Sequence, residues 1–448
     1  MSDSVKSLQW QVNSQCNLNC KHCFWNSKNS QDTSEISLEQ AMNTIDILKK
    51  QGLERIDFTL VEPMLNKDIF KILDYCAVNG LRTTLLTNGI LLNENIDNII
   101  KSNIDSLGIS FSGISAQEND LVRGKGTFDI VIQALKNFIQ KRNETTYVPV
   151  VVYYTLSSTN FDSTADVISF FNNLGVDKIV FNEVDITVGN AKCNSYLKKT
   201  DENTYDILAK SYSKLKDCKI KMDIPGLSPF QTIYLNLKFG INLPVYVLSC
   251  GILGGMFFVN SNNKLKQCMF AGKKDENILL YESDVNNQQQ FWEYIRGFEK
   301  NYVYVKKDIQ QELCGDCIHF SKCNPCIYTL QNGQIKEFSE SCKTYRQKIE
   351  QLIELFISQP HKYTVGLRET VYLVKDNESV KLVDSTQTSL YRNFMIKERS
   401  LEEKIIKIIQ DRKAISMLEF LKGIEYPFEF LNQVISSNFF CINEIVDK

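Results

Sequence analysis

Short apolar runs alternate with amphipathic stretches from residue 8 to about residue 190. The apolar runs have the length and composition of strands, whereas apolar residues in the longer stretches recur at helical spacing. Strands that alternate with helices in this way predict a parallel sheet with helices outside it. The predicted strands are Leu8–Val12, Ile56–Leu60, Thr83–Leu86, Leu107–Phe111, Val148–Tyr154 and Lys178–Val184, and the predicted helices are Leu38–Gln51, Lys67–Val78, Asn93–Lys101, Phe128–Gln140 and Ser163–Leu174.

The pattern changes after residue 192. A connecting region, residues 193–249, is predicted to be helical around Glu202–Lys216. Beyond it, the pattern predicts a hairpin and then a mixed region of helices and short strands. The hairpin strands are Met256–Asn260 and Lys264–Gln267; later helices are Tyr345–Ile357, Leu401–Gln410, Ile415–Leu421 and Phe428–Ser436, with short strands at Thr370–Val374, Val380–Val383 and Ser389–Asn393.

Charge and composition narrow the possible partners and location. The 448 residues include 51 basic and 53 acidic side chains, and the net charge of −2 favours neither nucleic acid nor a membrane surface as a partner. The amino terminus lacks the apolar stretch of a signal peptide, and no run has the length of a membrane span. Fourteen cysteines without a secretory signal favour a reducing cytoplasm and metal ligation. We therefore expect a cytoplasmic protein.

Three cysteines follow the first predicted strand. Cys16, Cys20 and Cys23 have C-x3-C-x2-C spacing, which suits an iron–sulfur cube that is ligated at three corners and open at the fourth. A structural zinc site needs four closed ligands, and His22 is poorly placed beside Cys23 to be the fourth. The motif resembles that of the radical S-adenosylmethionine (SAM) enzymes, in which the open iron binds SAM and cleaves it to a 5′-deoxyadenosyl radical. The resemblance implies a partial (β/α)6 TIM-like barrel over residues 1–192.

Segments after the later strands resemble the SAM-binding segments of that family. Thr59–Pro63 matches its Gly-Gly-Glu-Pro segment except that Leu60 and Val61 replace both glycines. Leu86–Gly89 is similar to its T-N-G turn, and Ile109–Gly113 with Arg123 is similar to its S-x-D-G and R-G segments. A surface glutamate, a plain turn and a solvated arginine are the alternative interpretations. By resemblance, SAM contacts come from His22, Val61, Glu62, Asn88, Ser110, Arg123, Val188 and Gly189, and the family's aspartate is Ser112.

Seven further cysteines form a second system in the carboxyl-terminal half. Their order resembles the SPASM extension, which carries two auxiliary iron–sulfur clusters, although the last pair in the group of four is separated by two residues rather than three. Two zinc ribbons are the alternative. By resemblance, Cys314, Cys317, Cys323 and Cys342 bind a distal cluster, and Cys250, Cys268 and Cys326 bind a proximal one.

The remaining cysteines and Met256 bear on the proximal cluster. Its fourth ligand is unassigned, and Cys193 and Cys218 are possible donors. Met256 stands where some relatives place that ligand, but a thioether is a weak iron ligand, so we expect Met256 in the core. We expect Cys76 and Cys441 in the core as well, because free cysteine packs as a small hydrophobe.

Two positions of the second cysteine system differ from the family pattern. Asn263 replaces the usual glycine of the hairpin and can itself adopt a left-handed turn. Met269 replaces the aspartate that sulfatase maturases place after the second SPASM cysteine, Cys268, as a general base. A methionine cannot take a proton, which disfavours a sulfatase maturase.

These observations divide the chain into a barrel (1–192), a connecting region (193–249), a SPASM domain (250–345) and a small α+β domain (346–448). The last domain resembles the winged-helix elements that grip leader peptides by strand addition; a purely packing domain is the alternative.

The predicted function is a radical SAM/SPASM oxidoreductase with three [4Fe-4S] clusters and SAM as cofactors. It would install a thioether or carbon–carbon cross-link in a ribosomally made peptide (RiPP), with flavodoxin or ferredoxin as electron donor. The alternatives are sulfatase-maturase-like oxidation of a protein cysteine or serine, and a non-catalytic relative that binds a precursor peptide.

Overall fold

The protein is represented by a computed structural model, and statements about structure concern the residues that it describes. These are residues 5–25, 32–186, 189–194, 196–198, 203–215, 218–246, 250–268, 282–306, 311–314, 317, 323–324, 334–368, 371–375, 380–384, 393–395, 399–411, 414–424, 426–437 and 439–444.

Seven parallel strands and their helices form the first half of the molecule. The predicted partial barrel is confirmed, and all six predicted strands are present with small shifts at their ends. A seventh strand and α4 and α8 were not predicted. The strands are β1 (Ser7–Trp10), β2 (Arg55–Phe58), β3 (Arg82–Thr87), β4 (Ser106–Phe111), β5 (Val150–Leu156), β6 (Lys178–Glu183) and β7 (Lys221–Asp223); the helices are α1 (Leu38–Lys50), α2 (Ile69–Val78), α3 (Ile96–Lys101), α4 (Ala116–Arg123), α5 (Thr127–Glu144), α6 (Val167–Leu174), α7 (Asn203–Ser213) and α8 (Pro229–Phe239).

The two faces of this sheet differ in chemistry. On β5, Val150, Val152 and Tyr154 are fully buried, and they alternate with residues that are only half-buried. Because successive side chains of a strand point to opposite faces, one face packs under the helices and the other lines an interior. That inner face is polar: Arg55 pairs with Asp57 at 2.9 Å. The barrel therefore encloses a polar interior in place of the aliphatic layers of a closed (β/α)8 barrel.

The predicted hairpin extends the same sheet. Strand β8 (Met256–Val259) pairs in parallel with β1, and β9 (Lys264–Lys266) and β10 (Glu282–Asp284) continue the sheet in antiparallel fashion. Asn263 in the turn has a φ of 58°, as expected, and its Oδ1 accepts a hydrogen bond from Thr44 of α1 at 2.8 Å. The hairpin is thus bonded directly to the first strand and helix of the barrel.

A second core joins the carboxyl-terminal region to the connecting region. Phe230 and Ile233 of α8 lie in one buried cluster with Ile353 and with Val365. The long helix Gln334–Ser358 begins well before its predicted start at Tyr345 and contains Cys342. The strands Tyr363–Leu367 and Phe440–Glu444 were not predicted. Residues 389–392 of the predicted strand Ser389–Asn393 lie outside the described residues. The elements are α9 (Gln289–Val305), α10 (Gln311–Cys314), α11 (Gln334–Ser358), β11 (Tyr363–Leu367), β12 (Val371–Lys375), β13 (Val380–Asp384), β14 (Asn393–Met395), α12 (Arg399–Asp411), β15 (Ile415–Ser416), α13 (Met417–Leu421), α14 (Pro427–Ser437) and β16 (Phe440–Glu444).

These strands form two small antiparallel sheets, β15-β11-β16 and β12-β13-β14. The start of the predicted helix Ile415–Leu421 is wrong, because Ile415 pairs with Val365 of β11 and the helix begins only at Met417. None of the described helices is both long enough and apolar enough to cross a membrane.

Candidate functional site

The cysteine loop, residues 16–23, follows β1 at the carboxyl edge of the parallel sheet. The Cys23 N–H donates to the Cys20 carbonyl at 3.1 Å, which folds the loop back on itself. The Asn190 N–H donates to the Cys23 carbonyl at 2.8 Å, and Asn190 Nδ2 donates to the Cys20 carbonyl at 2.9 Å. The loop is therefore held by a segment that follows β6, although the two are far apart in sequence.

The thiols of Cys16 and Cys20 lie in surroundings that favour the protonated form until a cation binds. Burial raises the pKa of Cys16 to about 11 and raises the pKa of Cys20. Such thiols become thiolates when a cation binds them. Among the described residues, no three His, Cys, Asp or Glu side chains converge on a single metal ion. Each thiolate of a cube binds a separate iron, so a cube does not require the three thiols to meet at one ion.

Glu62 is fully buried and connects the ends of β2 and β3. Its carboxylate accepts hydrogen bonds from the Asn88 N–H at 2.8 Å, from the Met64 N–H at 3.1 Å and from the Thr87 hydroxyl at 2.9 and 3.0 Å. Burial raises the pKa of Glu62 to about 7, although these hydrogen bonds lower it in part. The side chain predicted to hold SAM thus braces two loops of the protein, and its backbone carbonyl accepts a hydrogen bond from Asn13 Nδ2 at 2.9 Å.

Leu60 has a φ of 86°, in the left-handed region. It occupies the position of the first glycine in the resembling family, and a glycine would adopt this conformation without steric strain. A left-handed conformation costs a residue with a Cβ about 1–2 kcal/mol. Val61 is not among the described residues with positive φ, and its side chain is buried.

We expect Leu60→Gly to stabilise the protein by about 0.5–1 kcal/mol, because relief of the strain exceeds the extra chain entropy of glycine. The measurement is the midpoint of thermal unfolding. Val61→Gly is the matched control and should lower that midpoint, because it removes a buried side chain worth about 2 kcal/mol. Equal losses of stability in both variants would contradict the strain at Leu60.

Arg123 is buried at the end of α4. Its Nε donates to Ser112 Oγ at 2.9 Å. The structure thus brings Arg123 to Ser112, the residue in place of the family's aspartate, whereas Ser110 is half-buried on the inner face of β4. Burial lowers the pKa of Arg123, and the charge of Cys20 opposes that shift. A buried guanidinium beside the cysteine loop suits a carboxylate ligand.

His22 and Gly189 complete this side of the site. His22 Nδ1 is buried, and it has no hydrogen-bond partner among the described residues. Burial lowers the pKa of His22 to about 3, so its ring is neutral. Gly189 has a φ of 57°, and a Cβ there would stand 2.1 Å from the Cys23 carbonyl oxygen, so only glycine fits. Val188 lies outside the described residues.

The four cysteines assigned to a distal cluster come together between α10 and α11. Burial, together with the nearby thiols of Cys317, Cys323 and Cys314, raises the pKa of Cys342 to about 12. The Cys317 N–H donates to the Cys314 carbonyl at 2.9 Å, which closes a tight C-x2-C turn. These residues suit a cluster with four thiolate ligands.

The proximal group is only partly described. Cys250 precedes β8 and Cys268 follows β9, so the antiparallel hairpin brings both to the same end. The Cys250 N–H donates to the Asn324 carbonyl at 2.7 Å, so Asn324, the residue that follows Cys323, lies beside Cys250. Cys326 itself lies outside the described residues.

The remaining cysteines and Met256 lie in different parts of the molecule. Cys193 is exposed in the segment that contacts the cysteine loop, and Cys218 Sγ lies 3.5 Å from the Ile220 carbonyl oxygen, next to β7. The expected core position of Met256 is wrong: its side chain is 39% exposed, because it begins β8 at the end of the hairpin. Cys76 is fully buried in the core, as expected, and Cys441 is half-buried against Gly366.

Comparisons with known proteins agree with this geometry. The radical SAM superfamily model matches residues 10–160. The mycofactocin maturase MftC of Mycolicibacterium smegmatis is 31% identical over 136 residues, which are 30% of this chain and 34% of that protein. The AdoMet-dependent heme synthase of Methanosarcina barkeri is 25% identical over 340 residues, 73% of this chain and 92% of that protein.

Among solved structures, Streptococcus suis SuiB bound to S-adenosylmethionine has a TM-score of 0.51 at 15% identity, covering 64% of this chain and 65% of that chain. At this identity the likeness concerns the fold. The match to MftC spans about a third of that maturase's length.

Proposed function

Because this chain is a radical SAM enzyme that resembles RiPP maturases, we propose that it modifies a ribosomally made peptide by installing a thioether or carbon–carbon cross-link. The observation that carries the proposal is the coexistence of two cysteine systems. The first system follows β1 at the carboxyl edge of the barrel. The second lies in the carboxyl-terminal half and includes Cys342 and Cys250. A single radical step needs only the first; auxiliary clusters add a place for an electron or for a substrate group.

The residues around the cysteine loop have separate tasks in this proposal. When bound, the reduced cluster of Cys16, Cys20 and Cys23 supplies the electron that cleaves SAM. Arg123 would neutralise the SAM carboxylate, because its buried guanidinium donates to the neutral Ser112 hydroxyl and forms no ion pair with a carboxylate among the described residues. His22 offers its buried Nδ1 to a polar group of SAM.

The function is tested by co-expressing the chain with any short open reading frame encoded beside its gene and then weighing the peptide. A cross-link removes a pair of hydrogens, so we expect a mass lower by that pair. A peptide of unchanged mass, from a cluster-loaded protein that still forms 5′-deoxyadenosine, would contradict the proposal. Absence of 5′-deoxyadenosine with every reductant would favour the non-catalytic, peptide-binding relative.

We further propose that a thiolate of the substrate completes the proximal cluster. In support, Cys193 lies in the segment whose Asn190 holds the cysteine loop, and Cys218 lies next to β7, where its Sγ is 3.5 Å from the Ile220 carbonyl oxygen. An iron open to the substrate would deprotonate a cysteine and hold its sulfur near the carbon radical. This favours a thioether product.

Mössbauer and pulsed-EPR spectra test the origin of the fourth ligand. The spectra of the auxiliary clusters should change when a precursor with cysteine is added, but not when its cysteine-to-serine version is added. Identical spectra in both cases would assign the fourth position to a ligand from the protein.

A second candidate function rests on the similarity to the AdoMet-dependent heme synthase, which spans 73% of this chain, more than the maturase match does. Under that alternative the chain acts on a tetrapyrrole in heme synthesis. Fe-coproporphyrin III, which appears in the name of another relative that is 30% identical over 179 residues, is a suitable probe. Adding it to the reduced protein would then raise 5′-deoxyadenosine formation above its uncoupled rate, and the peptide would not.

For the carboxyl-terminal domain we propose capture of the precursor peptide. Its strands β12, β13 and β14 precede three helices, the order predicted for a leader-binding element. Two large apolar side chains in this region are exposed, Leu418 of α13 at 60% and Tyr426, which directly precedes α14, at 63%. We expect the double variant Leu418→Ser, Tyr426→Ser to weaken precursor binding by about tenfold, about 1.4 kcal/mol, without changing uncoupled SAM cleavage.

Calorimetric titration with the precursor measures this affinity. Val78→Ser is the control, because Val78 is 87% exposed on a barrel helix. Equal affinity of the double variant and the control would leave the domain with its packing role alone.

A further inference from the structure

The side chain of Asn88 makes three hydrogen bonds in one orientation. Its Oδ1 accepts from the Ile90 N–H at 3.0 Å, which fixes the oxygen end of the amide. The other end, Nδ2, must then point at the cysteine loop, where it donates to Asn17 Oδ1 at 2.6 Å and to Cys16 Sγ at 3.6 Å. The assignment of oxygen and nitrogen therefore follows from the Ile90 N–H, which needs an acceptor.

The backbone of Asn88 is held as firmly. Its N–H donates to Glu62 Oε2 at 2.8 Å, and Glu62 is fully buried. The neighbouring Thr87 donates to the same carboxylate and accepts from the Gly89 N–H at 2.9 Å. The buried carboxylate thereby fixes the turn that aims the amide at Cys16.

Cys16 also receives a second donor. The Leu18 N–H lies 3.5 Å from Cys16 Sγ, so two N–H groups point at one sulfur. A cysteine thiolate that ligates iron can accept hydrogen bonds from both of these N–H groups. Donors aimed at a ligand sulfur draw electron density from it and stabilise the more negative, reduced state of an iron–sulfur cluster.

We propose that Asn88 tunes the reduction potential of the cluster that Cys16 ligates, raising it through the Nδ2–H···Sγ hydrogen bond, and that Glu62 is the positioning residue for Asn88. The inference rests on the proposed cluster at Cys16, Cys20 and Cys23. A higher potential eases electron transfer from a protein donor to the cluster. The tuning acts before any substrate is bound, so it can be measured on the loaded protein alone.

The test is a redox titration followed by EPR, with the signal of this cluster identified by its response to added SAM. Asn88→Asp keeps the acceptor for Ile90 but loses the donor, and we expect its midpoint potential to shift to a more negative value. Asn17→Asp is the matched control for charge, because it adds the same negative charge beside the loop while Asn88 keeps its Nδ2 donor. The shift should be larger for Asn88→Asp than for Asn17→Asp.

A neutral second variant, Asn88→Leu, separates the hydrogen bond from charge altogether. It should also show a more negative potential, with the iron content of the unaltered protein. Wild-type potentials in Asn88→Leu, or equal shifts in Asn88→Asp and Asn17→Asp, would overturn the proposal. So would loss of the cluster in both Asn88 variants, because a bond that only tunes is not needed for assembly. If the unaltered protein shows no SAM-responsive signal, the cluster assignment itself fails instead.

Discussion

Replacing Cys16, Cys20 and Cys23 together with alanine is expected to abolish the formation of 5′-deoxyadenosine from SAM. Each thiolate binds one iron of the proposed cube, and the protein offers them from one loop folded by the Cys23-to-Cys20 backbone hydrogen bond. Without the three ligands no iron is held at the carboxyl edge of the barrel. The measurement is chromatography of a reduced, reconstituted reaction with SAM.

Two controls make this loss specific to the first cluster. Iron analysis of the triple variant should still find iron in the carboxyl-terminal half, where Cys342 lies beside three other thiols. Cys76→Ala should keep SAM cleavage, because Cys76 is a fully buried core residue of α2, although its stability should fall. SAM cleavage by the triple variant would move the catalytic cluster to other cysteines.

The barrel strands were predictable because their signal is local. An apolar run such as Val148–Tyr154 is buried on one face and bounded by polar residues. A helical pattern of suitable length next to it in the sequence supports its prediction as a strand. Strand β7, Lys221–Asp223, has three residues and too little pattern to be read from the sequence. Strands β11 and β16 pair with each other from distant parts of the chain, which no local pattern reports.

Some features of the candidate site could likewise be predicted from local sequence, and others could not. The cysteine spacing is local, and Asn263 was identified as a left-handed turn because asparagine tolerates that conformation. Ser110 and Arg123 were both predicted to contact SAM, but the hydrogen bond of Arg123 to Ser112 was not predicted, because it depends on the position of α4. The bond between Asn88 and Cys16 joins residues 72 positions apart, so it depends on the register of the sheet.

The strain at Leu60 was also invisible in the sequence. The replacement of both family glycines by Leu60 and Val61 indicates only that the side chains of this loop differ. In the structure, Leu60 has a left-handed backbone conformation and Val61 does not.

The second large effect is expected at the hairpin. Phe257 of β8 is 2% exposed, and its ring packs edge-on against Phe291 and Trp292 of α9, with centroids 5.5 Å away in both cases. Removing such a ring costs about 3–5 kcal/mol, and a buried carboxylate in its place adds a further desolvation penalty. Because whole proteins are stable by only about 5–15 kcal/mol, Phe257→Asp should yield unfolded or insoluble protein.

Met256→Asp is the matched control on the same strand. Met256 is 39% exposed, so the new carboxylate stays in water and the variant should unfold near the temperature of the unaltered protein. The measurements are thermal unfolding and the iron content of the soluble fraction. Since β8 pairs in parallel with β1, which leads directly to Cys16, damage at Phe257 should also remove the cluster of the cysteine loop. A Phe257→Asp protein that still loads that cluster would mean that the barrel folds independently of the hairpin.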